Sequence, residues 1–358
     1  MKITAGLLLV AALLLAAPSA VVAGDAVDGT PIIEQLDAAA LTPGKVYRFW
    51  FRVTDNAVAQ PWLIPVIVVR GARPGPRLLL TAAIHGDELT GVDVIHQLTA
   101  GLDPAALSGT VIAVPGLNSI GMLHRTRSFT PGEGREGANL NRLMPGIDGD
   151  AGVADRYARR LWTALLRPNA DTAIDLHTQS HGTAYVMFAF AGTKRAERIA
   201  ELIGPDIIKL DPGTMGTIET EMNRDGVPAI TLELGRPEMF DPVMVARAVA
   251  GIKRVMADME MLVVAPPRTT VPFVGNKLAV VSAARGGFAH VLVPLGATVT
   301  KGDVVATISD AFGRVIETVR TPESGRVNTV VTDPLHDPGD MLLRIVFVSA
   351  DPACAMGC

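Results

Sequence analysis

Two segments of this 358-residue chain, TAIDLH (172–177) and PAITLEL (228–234), are nearly continuous runs of apolar residues. They lack the strict alternation of a strand with one wet face. Runs of this kind describe strands covered by helices on both faces, as in α/β layers. Each carries a single chemically useful side chain near its end, His177 in one and Glu233 in the other. A third apolar run, LLLTAAI (78–84), leads straight into HGDE (85–88).

The rest of the pattern up to residue 265 agrees with an α/β layer. VYRFWFRV (46–53), PWLIPVIVV (61–69), RLLLTAAI (77–84), TVIAVPGLN (110–118) and YVMFAF (185–190) read as further strands, with the turn GARPGPR (71–77) between two of them. DVIHQLTAGL (93–102), VADRYARRLWTALLR (153–167) and DPVMVARAVAGIKRVMADMEML (241–262) read as helices. The expected fold is a mainly parallel mixed sheet flanked by helices. Both motifs, HGDE and DLHTQS (175–180), then follow strand C-terminal ends, where open α/β sheets build their sites.

After the Pro-containing stretch VVAPPRTTVPF (263–273) the texture changes to short Val-rich strands separated by turns such as TKGD, DAFGR and DPGD. This predicts a small C-terminal all-β domain over 266–350, after a catalytic unit at 24–265, with 351–358 as a tail. Two domains also suit the length, since single cores rarely grow past roughly 250–300 residues. At the other end, Lys2, the apolar stretch GLLLVAALLLAA (6–17) and the small-residue exit PSAVVAGD (18–25) describe a secretory leader. Val21 and Ala23 place cleavage after Ala23. An uncleaved anchor is the alternative, although the apolar stretch is short of the about 20 residues a span requires. The expected location is periplasmic or secreted.

A net charge of −4 and a pI near 6.0 argue against a nucleic-acid partner. Cys354 and Cys358 are the only cysteines. They read as part of a frayed tail, with a local bridge as the alternative.

His85, Glu88 and His177 carry the chemistry. Two imidazoles and a carboxylate, with a fourth position left to water, form the ligand set of a catalytic zinc. One Zn²⁺ per chain is expected. Glu233 sits in an apolar strand, where a carboxylate is costly unless it is paired or working. It is the candidate general base, taking a proton from the zinc-bound water and returning it to the leaving amine. Asp175, on the same strand face as His177, is either an acceptor behind that imidazole or an ordinary structural hydrogen-bond partner. In ANLNRLMPG (138–146), Arg142 is a candidate two-pronged clamp for a substrate carboxylate, and Asn141 adds a donor. One of Arg125, Arg127 and Arg135 is a candidate to stabilise the oxyanion. His124 and His181 lie near these motifs as candidate substrate contacts, while His96 reads as a packing residue of its helix.

HGDE, NLNR, DLHT and the LELG glutamate, in that order and spacing, resemble the succinylglutamate desuccinylase/aspartoacylase family of the zinc carboxypeptidase superfamily. The resemblance covers roughly residues 60–345. It implies a zinc carboxypeptidase-like fold and a zinc-dependent hydrolase cleaving the amide of an N-acyl amino acid. It implies His85, Glu88 and His177 as metal ligands, Glu233 as general base and Asn141 with Arg142 as the carboxylate binder. Arg127, in RSFTPGEG, is the match for the oxyanion arginine, with Arg125 in reserve. The family's Asp-Leu-Asn-Arg is Asn139-Leu140-Asn141-Arg142 here. The leader sets this chain apart from the family's cytosolic enzymes, so their particular substrates do not carry over. Residues 286–348 look like a biotinyl/lipoyl-type barrel, but the expected hairpin is DAFGR and the last lysine, Lys301, stands elsewhere in TKGD. A swinging-arm role is rejected; the barrel is expected to be a lid, a wall or an oligomer contact.

Two other readings stand beside an amide hydrolase of carboxylate-bearing small molecules. One is an exported zinc carboxypeptidase acting on peptides, cell-wall peptides included. The other is a non-catalytic binding module. The complete set of three ligands and Glu233 argues against the latter, which has no need of it.

Overall fold

The structure is a computed structural model describing residues 25–129, 137–147, 149, 152–268 and 270–358. The expected leader at 1–23 and the candidate Arg135 lie outside the described residues. Among the described residues, no helix is long and apolar enough to cross a membrane.

The first strands are β1 (Ala26–Val27), β2 (Thr30–Ile33), β3 (Lys45–Asp55), β4 (Pro61–Arg70) and β5 (Arg73–Ala82). Helix α1 (Thr90–Ala100), strand β6 (Ser108–Val114), α2 (Ser119–His124) and α3 (Val153–Leu161) follow. Then come β7 (Thr172–His177), β8 (Thr183–Tyr185), β9 (Met187–Ala191), α4 (Lys194–Ile203), β10 (Ile207–Leu210), α5 (Ile218–Arg224), β11 (Ala229–Leu234), α6 (Pro242–Asp258) and β12 (Phe273–Gly275). Eleven of these strands form one sheet in the order β1-β2-β3-β4-β6-β5-β7-β11-β9-β10-β12. The central strands β6, β5, β7 and β11 are mutually parallel, as are β9, β10 and β12. The β4–β6 and β9–β11 pairings are antiparallel, so the sheet is mixed as expected.

Every residue of β7 and β11 is buried. One face of the sheet packs against α1, α4 and α6, and the other against α3 and α5. That two-sided cover explains the lack of polar alternation in these strands. The helices start where side chains can satisfy free N–H groups. Thr193 caps α4, Thr217 caps α5 and Asp241 caps α6, with Pro242 in its first turn.

Several elements differ from expectation. Part of the GARPGPR turn is drawn into β5, which starts at Arg73 and has an irregular register up to Arg77. YVMFAF is two strands, because Val186 breaks the run and β8 leaves the main sheet. Within residues 191–227, α4, β10 and α5 were not anticipated. They are short, at 10, 4 and 7 residues, and a four-residue strand shows no usable period.

The C-terminal part holds β13 (Lys277–Ser282), β14 (Gly287–Val291), β15 (Thr298–Val299), β16 (Val304–Ser309), β17 (Val315–Arg320), β18 (Gly325–Val331), β19 (Leu335–His336) and β20 (Met341–Phe347). They form two antiparallel sheets around their own apolar core. This β domain is joined to the main sheet in two ways. β8 pairs with β18, matching Tyr185 to Thr329. A second apolar cluster joins Tyr185, Phe188 and Ile207 to Val346 and Leu278.

The tail is not frayed. Cys354 and Cys358 form a disulfide, Cys354 is buried, and the Cys358 N–H donates to the Asn276 carbonyl. Lys209, a buried cation on β10, donates to the Cys358 carbonyl at 3.3 Å, which ties the tail to the main sheet.

Candidate metal centre and its pocket

The C-terminal ends of β5, β7 and β11 lie side by side. His177 closes β7, Glu233 is its register partner on β11, and His85 and Glu88 stand on the segment leaving β5. Gly86, the residue of HGDE freest to bend, does not turn that segment; Ala83 does, with a φ of 54° in the left-handed region. Gly86 serves a different end: a Cβ there would lie 2.1 Å from the backbone of Gly121, so the close approach of α2 requires glycine.

His85, Glu88 and His177 are buried, and one ligand atom from each lies within 4.8 Å of the others. Glu88 Oε2 is 2.8 Å from His177 Nδ1, and Glu88 Oε1 is 2.9 Å from His85 Nδ1. Both rings turn their other nitrogen to an oxygen. His177 Nε2 is 2.8 Å from Asp175 Oδ2, and His85 Nε2 is 3.1 Å from Asn139 Oδ1. This fixes the rings with Nδ1 toward a common point, as ligand imidazoles are usually held.

The His85 contact tests whether a cation suits the site. Its Nδ1 is buried and has no hydrogen-bond partner among the described residues, although Glu88 Oε1 is close. A nitrogen lone pair and a carboxylate oxygen facing each other repel unless something positive sits between them. Burial alone would raise the Glu88 carboxyl, but His85 and His177 outweigh it and hold it well below the ordinary range. His177 moves the other way. Burial opposes its charge, yet Asp175 and Glu88 on its two sides raise it well above the usual imidazole range. Burial lowers His85, and the neighbouring Glu88 offsets only part of this. The donor set, the convergence of the Nδ1 atoms and the orphaned lone pair all fit a divalent metal ion.

A cavity of about 390 Å³ opens from this point, lined among others by Arg127, Arg142, Tyr185, Glu219, Glu233 and Arg344. That is the scale of a small-molecule pocket. Glu233 is buried, and its Oε2 has no partner among the described residues. Burial pushes its carboxyl up to about 8, with His177 pulling it down and Glu88 pushing it further up.

Arg127 Nη1 donates to Glu88 Oε1 at 2.8 Å and to Ser180 Oγ at 2.7 Å. Arg125, its reserve, is exposed and is the left-handed C-cap of α2. Arg142 lines the cavity, and Nη1 donates to the Asn141 carbonyl. Burial and the nearby Arg127 both lower its pKa, so two guanidinium groups share one end of the pocket. Asn141 is partly committed to the fold. Its Oδ1 accepts from the Ile218 N–H at the start of α5, and its Nδ2 lies 3.4 Å from His177 Nε2.

The remaining histidines stand apart. His181 is largely exposed and contacts Asp87 and Glu238. His124 is exposed at the end of α2, and His96 is exposed on α1 rather than packed. Neither His181 nor His124 is among the residues lining the cavity.

Tyr185, Arg344, Glu219 and Thr231 are pocket residues that the sequence did not single out. Arg344 comes from β20 of the C-terminal β domain, and its Nη1 donates to the Tyr185 hydroxyl at 3.2 Å. The β domain is therefore a wall of this cavity.

The catalytic-domain model of the succinylglutamate desuccinylase/aspartoacylase family matches residues 74–259, just over half of the chain. The chain belongs to this family. It is 28% identical over 270 residues to the N-alpha-acetyl-L-2,4-diaminobutyric acid deacetylase of Halomonas elongata, covering 72% of this chain and 77% of that protein. Among solved structures it is similar to the product-bound ectoine utilization protein EutE (DoeB) of Ruegeria pomeroyi, with a TM-score of 0.74 at 24% identity over 85% of this chain and 95% of that one. A succinylglutamate desuccinylase/aspartoacylase of Rhodobacter sphaeroides superposes with a TM-score of 0.74 at 23% identity, over 86% and 96% of the two chains. Coverage of this extent includes the C-terminal β domain as well as the main sheet. Asn139 stands where the family pattern has Asp; its Oδ1 accepts from the Asn141 N–H at 3.0 Å and lies 3.1 Å from His85 Nε2, offering the imidazole a neutral acceptor.

Removal of residues 274–358 is expected to lower solubility and change substrate selectivity. It would expose Tyr185, Phe188 and Ile207 and take Arg344 out of the cavity. Comparing a chain ending before residue 274 with the mature protein, by sedimentation and by kcat/KM over a substrate panel, checks this. Unaltered stability and unaltered preference would show the β domain to be an appendage.

Proposed function

We propose that this protein is a zinc-dependent deacylase that hydrolyses the amide bond of an N-acyl amino acid or a related carboxylate-bearing substrate. The observation carrying this reading is the buried His85–Glu88–His177 cluster, lining a cavity of small-molecule size together with Glu233, whose Oε2 has no partner among the described residues. Family membership and the Halomonas elongata relative, by its name a deacetylase of an N-acetyl amino acid, support it. The fold reads as zinc carboxypeptidase-like.

His85 and His177 would hold the zinc through Nδ1, and Glu88 through its carboxylate. When bound, the metal polarises the scissile carbonyl and acidifies water. Glu233 takes a proton from the attacking water as the new C–O bond forms. It delivers that proton to the nitrogen as the C–N bond breaks, releasing a carboxylic acid and an amine. Burial raises the Glu233 carboxyl, and a nearby cation draws it back toward the carboxylate form that accepts a proton. Arg127 commits one nitrogen to Glu88, and its remaining N–H groups can meet the developing oxyanion. Arg142, with Asn141 Nδ2 beside it, would take the substrate's carboxylate.

Arg142→Lys is expected to raise KM for such a substrate on the order of tenfold with a small change in kcat, because an ammonium cannot make the planar two-pronged contact. Steady-state kinetics checks this, and an unchanged KM would move the carboxylate site to another arginine. The class itself is tested by assaying the zinc-loaded mature protein against N-acyl amino acids and short peptides. Hydrolysis of peptides alone would favour the carboxypeptidase reading.

We also infer that the protein is exported. The leader pattern at 1–23 and the Cys354–Cys358 disulfide support this, since disulfides persist in oxidising compartments. Fractionation of cells producing the full chain is the check.

A further inference from the structure

The disulfide-closed tail reaches the pocket through the end of β10. Gly357 is buried with a φ of 101°, and a Cβ there would run into the Leu210 carbonyl. Its N–H donates to the Cys354 carbonyl at 2.9 Å, inside the loop that the Cys354–Cys358 bridge closes. The Cys358 carbonyl accepts from Lys209, which is only 4% exposed and shares its ammonium with Asp211 Oδ2. A buried cation is costly unless its partners are in place. Ala355 and Met356, the residues between, are exposed. The chain-entropy gain from a disulfide grows with the loop it closes, and this one joins residues only 4 apart in sequence. Its global contribution is therefore at the small end, and what it does is local: it holds Gly357 and Cys358 against β10.

The segment that leaves β10 carries this contact to the cavity. Asp211 Oδ1 accepts from the Gly213 N–H at 2.8 Å, and Asp211, Gly213, Thr214 and Thr217 all line the pocket. Thr214 and Met215 are exposed, so the loop depends on its two ends for support. At its far end it is pressed on the Asn141–Arg142 segment. The Gly216 carbonyl accepts from the Met144 N–H at 3.0 Å, and a Cβ on Gly216, whose φ is 81°, would run into the Arg142 carbonyl. The next peptide closes the contact, since the Ile218 N–H donates to Asn141 Oδ1 at 3.0 Å.

We propose that the Cys354–Cys358 tail is a positioning element for Asn141 and Arg142: it completes the surroundings of Lys209, Lys209 fixes Asp211, and the 211–217 loop then sets the backbone that carries the two residues. The inference rests on the carboxylate-binding role given to Arg142 above and adds what holds it in place. The tail touches neither His85, Glu88 nor His177, so the metal is outside its reach. Opening the bridge frees Gly357 and Cys358, takes one acceptor from Lys209 and loosens the loop.

The test compares the zinc-loaded mature protein with two variants. Cys354→Ser/Cys358→Ser removes the bridge, and Gly357→Ala keeps the bridge but forces the tail off the Leu210 carbonyl. Amide hydrogen exchange followed by mass spectrometry is expected to be faster in both variants over 211–217 and over 139–144, and unaltered over β5 and β7. With a cleaved N-acyl amino acid, KM is expected to rise roughly 3–10-fold, the scale of coupling through a packed network, while kcat and zinc content stay near wild type. A merely structural bridge would lower the melting temperature and leave KM and the exchange of these two segments unchanged, which overturns the proposal. Faster exchange with an unchanged KM overturns it as well, because Arg142 would then be set by something else. If no N-acyl amino acid is cleaved, the deacylase reading falls on its own, and exchange at 139–144 decides the positioning role: faster upholds it, unchanged overturns it. Should the double serine variant fail to fold, Gly357→Ala decides, and failure of both would make the tail a support of the whole fold and overturn the proposal.

Discussion

Glu233→Gln is expected to lose most amide hydrolysis, by about 10²–10⁴-fold in kcat, the usual worth of a positioned general base. The variant should keep its metal, because Glu233 stands beside the His85–Glu88–His177 cluster rather than within it. The substitution is nearly isosteric. Oε2 has no partner to lose, so the fold has little reason to respond. Glutamine cannot accept a proton from water at neutral pH, and it cannot pass one to a leaving nitrogen. Turnover should fall while KM changes little. Parallel metal analysis and kinetics separate the outcomes: near-normal turnover with full metal content would remove Glu233 from the proton path, and loss of metal would make it a ligand.

His177→Ala should abolish metal retention. His177 supplies the central contact of the cluster, with Glu88 on its Nδ1 and Asp175 on its Nε2. Removing even a residue that only orients a ligand costs about 10–100-fold in metal affinity, and losing a ligand should cost more. The variant should come through dialysis with little zinc and no measurable hydrolysis. It also takes the imidazole partner from Glu88 Oε2 and Asp175 Oδ2 inside the core, so a lower melting temperature is expected, and circular dichroism must show that the fold persists. His181→Ala is the control, because His181 is exposed and engages Asp87 and Glu238 rather than the metal cluster. A His177→Ala protein that retains a full complement of zinc would overturn the assignment.

The ligand positions were legible because their signals are local. HGDE directly follows an apolar run, DLH closes another, and a glutamate inside PAITLEL is conspicuous by its cost. The parallel pairing of β5, β7 and β11 brings these three places together, and that pairing followed from the unbroken apolar character of the runs. Other features could not be read this way. Arg344 and Tyr185 are 159 residues apart and meet only because β8 leaves the main sheet to pair with β18 of the β domain. Nothing near either residue in the chain announces that pairing. Glu219 lies in a seven-residue helix with the composition of a surface segment, IETEMNR. Its burial against Thr231 comes from how α5 docks on β11 and β7. The bend before His85 falls at Ala83 although glycine looked the natural place, because what Gly86 serves is the packing of α2.

The sequence by itself therefore determined the kind of sheet, the metal-competent residues and the carboxylate beside them, since strand patterning and ligand chemistry are written over a few adjacent residues. The tertiary structure alone decided which oxygen orients each imidazole, which arginines reach the cavity, and that the β domain closes one wall of it. It alone left Glu219 Oε1 and Glu233 Oε2 buried without a partner among the described residues. These depend on packing between segments distant in the chain, where the identity of the neighbour is set by strand order and helix docking rather than by local pattern.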